Sequence, residues 1–247
     1  MAGKSTGEYS SFCFEVNRVS KDLRSLQEFT KTELIHIIDR AIELKQEQQT
    51  AQGQEVVDGP VDNATVPVHD ALTDVQHTFQ VLCDLMTILE KKGVLEDLHI
   101  AWIGNGNSMA NSWIQAAAVI GFELTLACPR GYEPASEIFA AGRKKAKKPI
   151  TLVRSPEEAV RLADVINVGA WAEGAQQERL RVFAKYQLNS ELLAEAPPDC
   201  IVLHSLPAHR EEEITEEVLE SVQCVAFDQA ENTMHVHKAI LESLTGK

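Results

Sequence analysis

Two kinds of hydrophobic pattern divide the chain. From Phe29 the stretch FTKTELIHIIDRAIELKQ places Leu34, Ile35, Ile38, Ile42 and Leu44 at a mostly helical spacing, with Thr30 or Thr32 as the residue that caps its start. The next twenty residues, QEQQTAQGQEVVDGPVDNAT, carry no apolar period and read as a linker over 46–66. A short strand-like piece covers 65–68, and a long helix is predicted from Asp74 to Lys92, with Val75, Phe79, Leu82, Leu85, Met86 and Leu89 on one face. Lys91, Lys92 and Gly93 form its stop: cations against the helix dipole, then a residue that tolerates positive φ.

After Leu95 short apolar runs alternate with amphipathic ones. Strands are predicted at 99–103, 123–128, 150–153, 165–168, 201–204 and 224–227. Helical stretches fall near 109–120, 134–145, 156–162, 178–183, 190–194 and 212–221, and a last helix runs from about 231 to 244. Ser155-Pro156-Glu157-Glu158 is a helix start, with serine as cap, proline in the first turn and Glu158 closing a capping box. This alternation predicts an α/β fold: a doubly wound parallel sheet covered on both faces, attached to a reduced, mostly helical first domain. The expected organisation is a polar arm at 1–22, a first domain at 23–94, an α/β domain at 95–230 and a C-terminal helix at 231–247.

Composition narrows the class. Of 247 residues 44% are hydrophobic and 24% charged, as in a soluble globular protein. No apolar run approaches the ~20 residues of a membrane span, and the N-terminus lacks the apolar core of a signal peptide. A formal net charge of −14 argues against nucleic acid as a partner, because that partner asks for a basic face. The five cysteines (Cys13, Cys83, Cys128, Cys200 and Cys224) are scattered without C-x-x-C spacing, so neither a disulfide framework nor a structural metal is expected. They fit buried thiols in a reducing cytoplasm. Lys144-Lys145-Ala146-Lys147-Lys148 reads as a solvated helix end, and His235 and His237, two apart on a helix, are poor joint metal ligands.

Three segments could carry chemistry. Ile103-Gly104-Asn105-Gly106-Asn107-Ser108-Met109 follows a strand and opens a helix, where two glycines and a helix N-terminus suit a tight turn or a small anionic ligand. A dinucleotide site is the alternative, but the third glycine position holds Met109, and the second strand ends in Ala127-Cys128-Pro129 without a ribose-binding acid. His204-Ser205-Leu206-Pro207 ends a strand at the edge where open α/β sheets gather ligands. It lacks the G-x-S-x-G turn of a hydrolase. His77 and Gln80, three apart at a helix start, share one face and suit a small polar ligand or a polar helix start equally.

In order along the chain these segments resemble the ornithine carbamoyltransferase family, within the aspartate/ornithine transcarbamoylases. The resemblance rests on LRSLQEFTKTELIHIIDRAIELK, LTDVQHTFQVLCDLMTILEKKG, LHIAWIGNGNSMANSWIQAAAVIGFELTLACPRGYEP, VINVGAW, HSLPAHREEEITEEV and FDQAENTMHVHKAI. It implies carbamoyl transfer from carbamoyl phosphate to the δ-amine of ornithine, with no cofactor. The retained family positions, implied to bind substrate, are His77, Gln80, Asn107, His204 and Leu206, and Ser205 stands at the family's cysteine. Other positions depart from the family: its S-T-R-T-R segment is missing, the proline of H-P-x-Q is Thr78, the ornithine-contacting asparagine is Ser108, and the late arginine is Thr233. In the D-x-W-x-S-M-G loop Gly169 replaces the aspartate, while Glu173 and Gly174 replace the serine and methionine.

Carbamoyl phosphate carries about two negative charges and is held best by charge-assisted bonds from arginine and backbone N–H groups. Between Gln46 and Glu90 there is no Lys or Arg, but there are eight carboxylates. The expectation is therefore a family member without catalysis of its own, acting as a binding, regulatory or partner-subunit protein. Its partners would be an amino-acid or carbamoyl-phosphate-like ligand, and a second copy or a full-length transcarbamoylase. The alternative is an active carbamoyltransferase using ornithine or a related amine, and a third reading is a nucleotide-cofactor enzyme on a similar sheet.

Overall fold

The structure is a computed structural model that describes residues 25–51, 77–171 and 176–245. The predicted arm at 1–22, most of the linker, the strand-like piece at 65–68, Asp74, Val75, Glu173 and Gly174 lie outside the described residues.

A single 3-10 turn, Leu26–Glu28, leads into α1, Lys31–Ala51. Thr30 starts that helix: its Oγ1 accepts from the Glu33 N–H at 3.2 Å, and the Glu33 carboxylate accepts from the Thr30 N–H at 2.6 Å. Leu34, Ile37, Ile38 and Ala41 form its buried stripe, with Ile35, Ile42 and Leu44 at the margin. The expected linker is corrected at its start, because residues 46–51 extend α1. Gln and Glu are good helix formers, and Glu47 pairs with Arg40 two turns back at 2.9 Å.

Among the described residues helix α2 runs over Thr78–Lys92, with His77 at its N-cap position. It ends on Gly93 in the left-handed region (φ 73°), whose N–H donates to Leu89 O at 2.9 Å. The residues from Val81 to Ile88 are buried all round, so α2 is an internal helix. Both α1 and α2 pack on the last helix, α9, Ala226–Thr245.

Five parallel strands form the sheet: β1 His99–Ile103, β2 Glu123–Ala127, β3 Ile150–Val153, β4 Val165–Val168 and β5 Ile201–His204, in the order β3-β2-β1-β4-β5. The registers align Val153, Ala127, Ile103, Val168 and His204 along one C-terminal edge. Helices α3, Ser108–Ile120, and α4, Ser136–Lys145, cover one face with α1, α2 and α9. On the other face lie α5, Pro156–Val160, α7, Ser190–Leu193, and α8, Glu216–Leu219. Helix α6, Gln176–Phe183, continues into a 3-10 turn, Ala184–Tyr186. Strand order reverses at β1, whose neighbours β2 and β4 leave it in opposite directions, and that reversal opens a crevice at the C-terminal edge.

Three sequence expectations change. The strand at 224–227 is a single bridge, Cys224 to Val202, after which Ala226 opens α9; a four-residue apolar run does not distinguish strand from buried helix. The helix expected at 212–221 shrinks to four residues because the preceding segment wraps around the buried Glu213 carboxylate. At Ser155 the hydroxyl caps Glu158 N at 3.2 Å as expected, but the carboxylate that meets it is that of Glu157.

Candidate functional site

The crevice is built from four chain ends. The turn after β1 is shaped by the protein itself. Gly106 N–H donates to Tyr132 O at 2.8 Å, and a Cβ at Gly106 would lie 2.2 Å from Pro134 N. The glycine thus admits the 133–134 backbone, which accounts for it without a dinucleotide. Asn107 caps α3, its Oδ1 accepting from Met109 N at 3.0 Å and Ala110 N at 3.3 Å. Those two donors, which a bound anion would otherwise use, are taken by the side chain.

The N-terminus of α2 reaches the same place. His77 N–H donates to Ser112 Oγ at 2.8 Å, joining α2 to the first turns of α3. The His77 ring is half-buried, and burial lowers its pKa. Gln80 turns its Nε2 inward to Asp84 Oδ1 at 2.9 Å.

At the end of β4 the chain passes Gly169 and Ala170 to Trp171, which stacks on Phe183 with ring centroids 5.7 Å apart. Gly169 touches Trp102 of β1: a Cβ there would fall 2.2 Å from Trp102 Cζ2. The indole fills the space that a side chain at 169 would need, and its Nε1 donates to Asn105 O at 3.0 Å, pinning the turn after β1.

At the end of β5 His204 is 1% exposed. Its Nε2 lies 3.1 Å from Glu213 Oε1, which also accepts from His209 N at 2.7 Å. Burial alone would raise the Glu213 pKa, but the bonds from His204 and His209 hold it below the usual value. That pairing places a proton on Nε2, between the ring and the Glu213 carboxylate. His204 therefore addresses Glu213 rather than its neighbour Ser205. Ser205 is partly exposed and Leu206 is 38% exposed, both on the segment leaving the sheet edge. Among the described residues no group of three or more His, Cys, Asp or Glu could hold a metal ion.

His77, Gln80, Asn107 and His204 are thus brought to one edge, though Asn107 Oδ1 and His204 Nε2 are spent on the protein. Four more polar residues belong to this edge: Asp84, Asn167, Gln229 and Glu213. Asp84 and Asn167 were visible as lone polar residues in the apolar runs Val81-Leu82-Cys83-Asp84-Leu85-Met86 and Val165-Ile166-Asn167-Val168. Gln229 and Glu213 sit in polar stretches, and nothing in their spacing sets them apart.

Residues 96–244 match the family model for the aspartate/ornithine carbamoyltransferase Asp/Orn binding domain. Ornithine carbamoyltransferase of Desulfotalea psychrophila is 61% identical over 198 residues, covering 78% of this chain and 65% of that protein. The Geobacter metallireducens ornithine carbamoyltransferase is 49% identical over 196 residues, with 78% and 65% covered. The chain thus spans about 65% of the length of these curated relatives. Among solved structures, ornithine carbamoyltransferase from Pyrococcus furiosus superposes with TM-score 0.82 at 28% identity, covering 92% of this chain and 97% of that one. The Gloeobacter violaceus ornithine carbamoyltransferase gives 0.78 at 30% identity, with 90% and 98% covered.

Proposed function

The chain belongs to the aspartate/ornithine carbamoyltransferase family, and from that membership we propose that it works on the acceptor side of carbamoyl transfer. It binds ornithine or a related amine at the C-terminal edge of its sheet, where the uncharged amine forms a C–N bond to the carbamoyl carbon, the C–O bond to phosphate breaks, and the departing phosphate takes up the surplus N–H proton. The observation that carries this reading is the extent of the match: two relatives named ornithine carbamoyltransferase are 61% and 49% identical over 198 and 196 residues. The loss of an acid at Gly169, with Trp102 in its place, supports an acceptor set that is not limited to ornithine.

A second reading has one specific observation in its favour. The segment from Gln46 to Glu90 carries eight carboxylates and no Lys or Arg, so it repels a phosphate dianion instead of gripping it. On that reading the chain binds the amino acid, or a full-length relative, without turning over alone.

One experiment separates the two. Citrulline formation is measured with carbamoyl phosphate and ornithine, and then a panel of amines, using the purified chain alone and mixed with the Desulfotalea psychrophila enzyme. Turnover by the chain alone supports the first reading. Ornithine binding, or altered activity of the relative, without independent turnover supports the second. A folded protein that does neither removes both.

A further inference from the structure

Asp84 sits in the middle of α2 at 0% exposure, in a stretch where every neighbour from Val81 to Ile88 is buried. An aliphatic side chain would be ordinary there. Instead its carboxylate accepts three hydrogen bonds, all from carboxamides. Gln80 Nε2 and Gln229 Nε2 reach Oδ1 at 2.9 and 2.5 Å, and Asn167 Nδ2 reaches Oδ2 at 3.0 Å. Burial pushes the carboxyl up to about 7 against the pull of those three amides. A buried acid with neutral donors and no cation is a net burden on stability, so its presence is explained by what it imposes on its partners.

An ionised carboxylate accepts and never donates, so every carboxamide facing it must turn its NH2 inward and its oxygen outward. For Gln229 the outward oxygen accepts the His204 backbone N–H at 3.0 Å. That N–H lies at the last residue of β5, beyond the single bridge that the following segment makes to Val202. For Gln80 the outward oxygen faces away from Asp84 at the half-buried start of α2, beside His77. One buried group thus touches α2, β4 and α9, and through α9 it reaches the end of β5.

We propose that Asp84 is a positioning residue for the acceptor site: its carboxylate sets the sense of the Gln80 and Gln229 carboxamides, and so holds the Gln80 oxygen and the His204 backbone as one unit. What that unit binds rests on the function proposed above; the coupling itself does not.

The test uses the full chain at pH 8 in three variants: Asp84→Asn, Asp84→Leu and Gln229→Leu. Asparagine can keep its oxygen on Gln80 and Gln229 and turn its NH2 to Asn167, whose buried Oδ1 is otherwise unpartnered, so only Asn167 flips and this variant is the control. Leucine suits the buried surroundings and removes the orienting charge. Gln229→Leu cuts the link to His204 with Asp84 in place. The primary readout is amide hydrogen exchange at His204 by NMR, with Val202, whose N–H donates to Gln223 O, as the internal control. Exchange at His204 is expected to rise about tenfold in Asp84→Leu and Gln229→Leu, the loss of roughly one hydrogen bond, and to stay at the wild-type rate in Asp84→Asn, with Val202 unchanged in all three. The second readout is ornithine affinity by calorimetry, expected to weaken about tenfold in Asp84→Leu for the same loss and to be kept in Asp84→Asn. If the wild-type protein binds no ornithine, the function proposed above falls while His204 exchange still decides the coupling. Unchanged exchange at His204 in a folded Asp84→Leu protein overturns the proposal, as does an equal rise at Val202. Failure of both Asp84 variants to fold also overturns it, because Asp84 is then structural.

Discussion

Gly169→Ala adds one methyl group where β4 leaves the sheet. The backbone at 169 has no left-handed φ, so the substitution acts by contact alone. The new Cβ falls 2.2 Å from Trp102 Cζ2 and 2.6 Å from Cη2. Carbon atoms rest about 3.5–4.0 Å apart, so the indole must retreat by about 1.3 Å or more. It has little freedom to do so: it is 1% exposed, its strand is paired on both sides, and its Nε1 is bonded to Asn105 O at 3.0 Å. Overpacking of this kind costs about 1–3 kcal/mol and the displaced hydrogen bond about 1, giving a loss of about 2–4 kcal/mol. Urea unfolding of the wild type, Gly169→Ala, Trp102→Leu and the double variant closes a thermodynamic cycle. Leucine lacks the clashing ring atoms, so the pair should couple by about 1 kcal/mol or more in favour of the double variant. A Gly169→Ala protein within about 0.5 kcal/mol of the wild type, or strictly additive effects, would refute the claim that the indole occupies the space of a side chain at 169. The same cycle bears on function, because an acid at 169 becomes sterically acceptable only once Trp102 is reduced.

Other outcomes follow from the same edge. Asp84 has its carboxyl raised from 3.8 to about 7, so the folded state binds the extra proton between those values and stability falls as pH rises from about 4 to 7. Three units correspond to about 4 kcal/mol as an upper figure, and thermal unfolding across pH should show this slope in the wild type and lose it in Asp84→Leu. Asn107→Ala removes the cap of α3 and should cost about 1 kcal/mol in urea unfolding. Glu213→Ala strips the buried partner from His204 and His209 N and should cost about 3–5 kcal/mol by the same measurement, where a loss below about 1 would contradict the pairing.

The sheet was legible in the sequence because its strands are short, apolar and separated by amphipathic runs; β1, β3, β4 and β5 lie where that alternation puts them. Legibility fails where one side chain reorganises a segment. Glu213 stands in an acidic run with helical spacing, yet its carboxylate gathers His204 and His209 and unwinds the expected helix to four residues. Val225 and Phe227 look like strand, but one bridge to β5 suffices, and the next bond along β5 comes from the Gln229 side chain. At the site, His77, Gln80, Asn107 and His204 were visible from their positions in motifs. Their roles were not, because local sequence does not reveal that Asn107 caps its own helix or that His204 faces Glu213. Asp84 was visible only as an acid among apolar residues. Its meaning depends on three carboxamides, of which Asn167 and Gln229 are brought near by the fold alone.

Calorimetric titration of ornithine into the purified chain decides whether this sheet edge is the amino-acid site proposed for it. Saturable one-site binding is expected, with Kd of about 1 mM or tighter, weakened in Asp84→Leu. A folded protein that shows no binding heat with ornithine or any amine of the panel at ten times that concentration would contradict it.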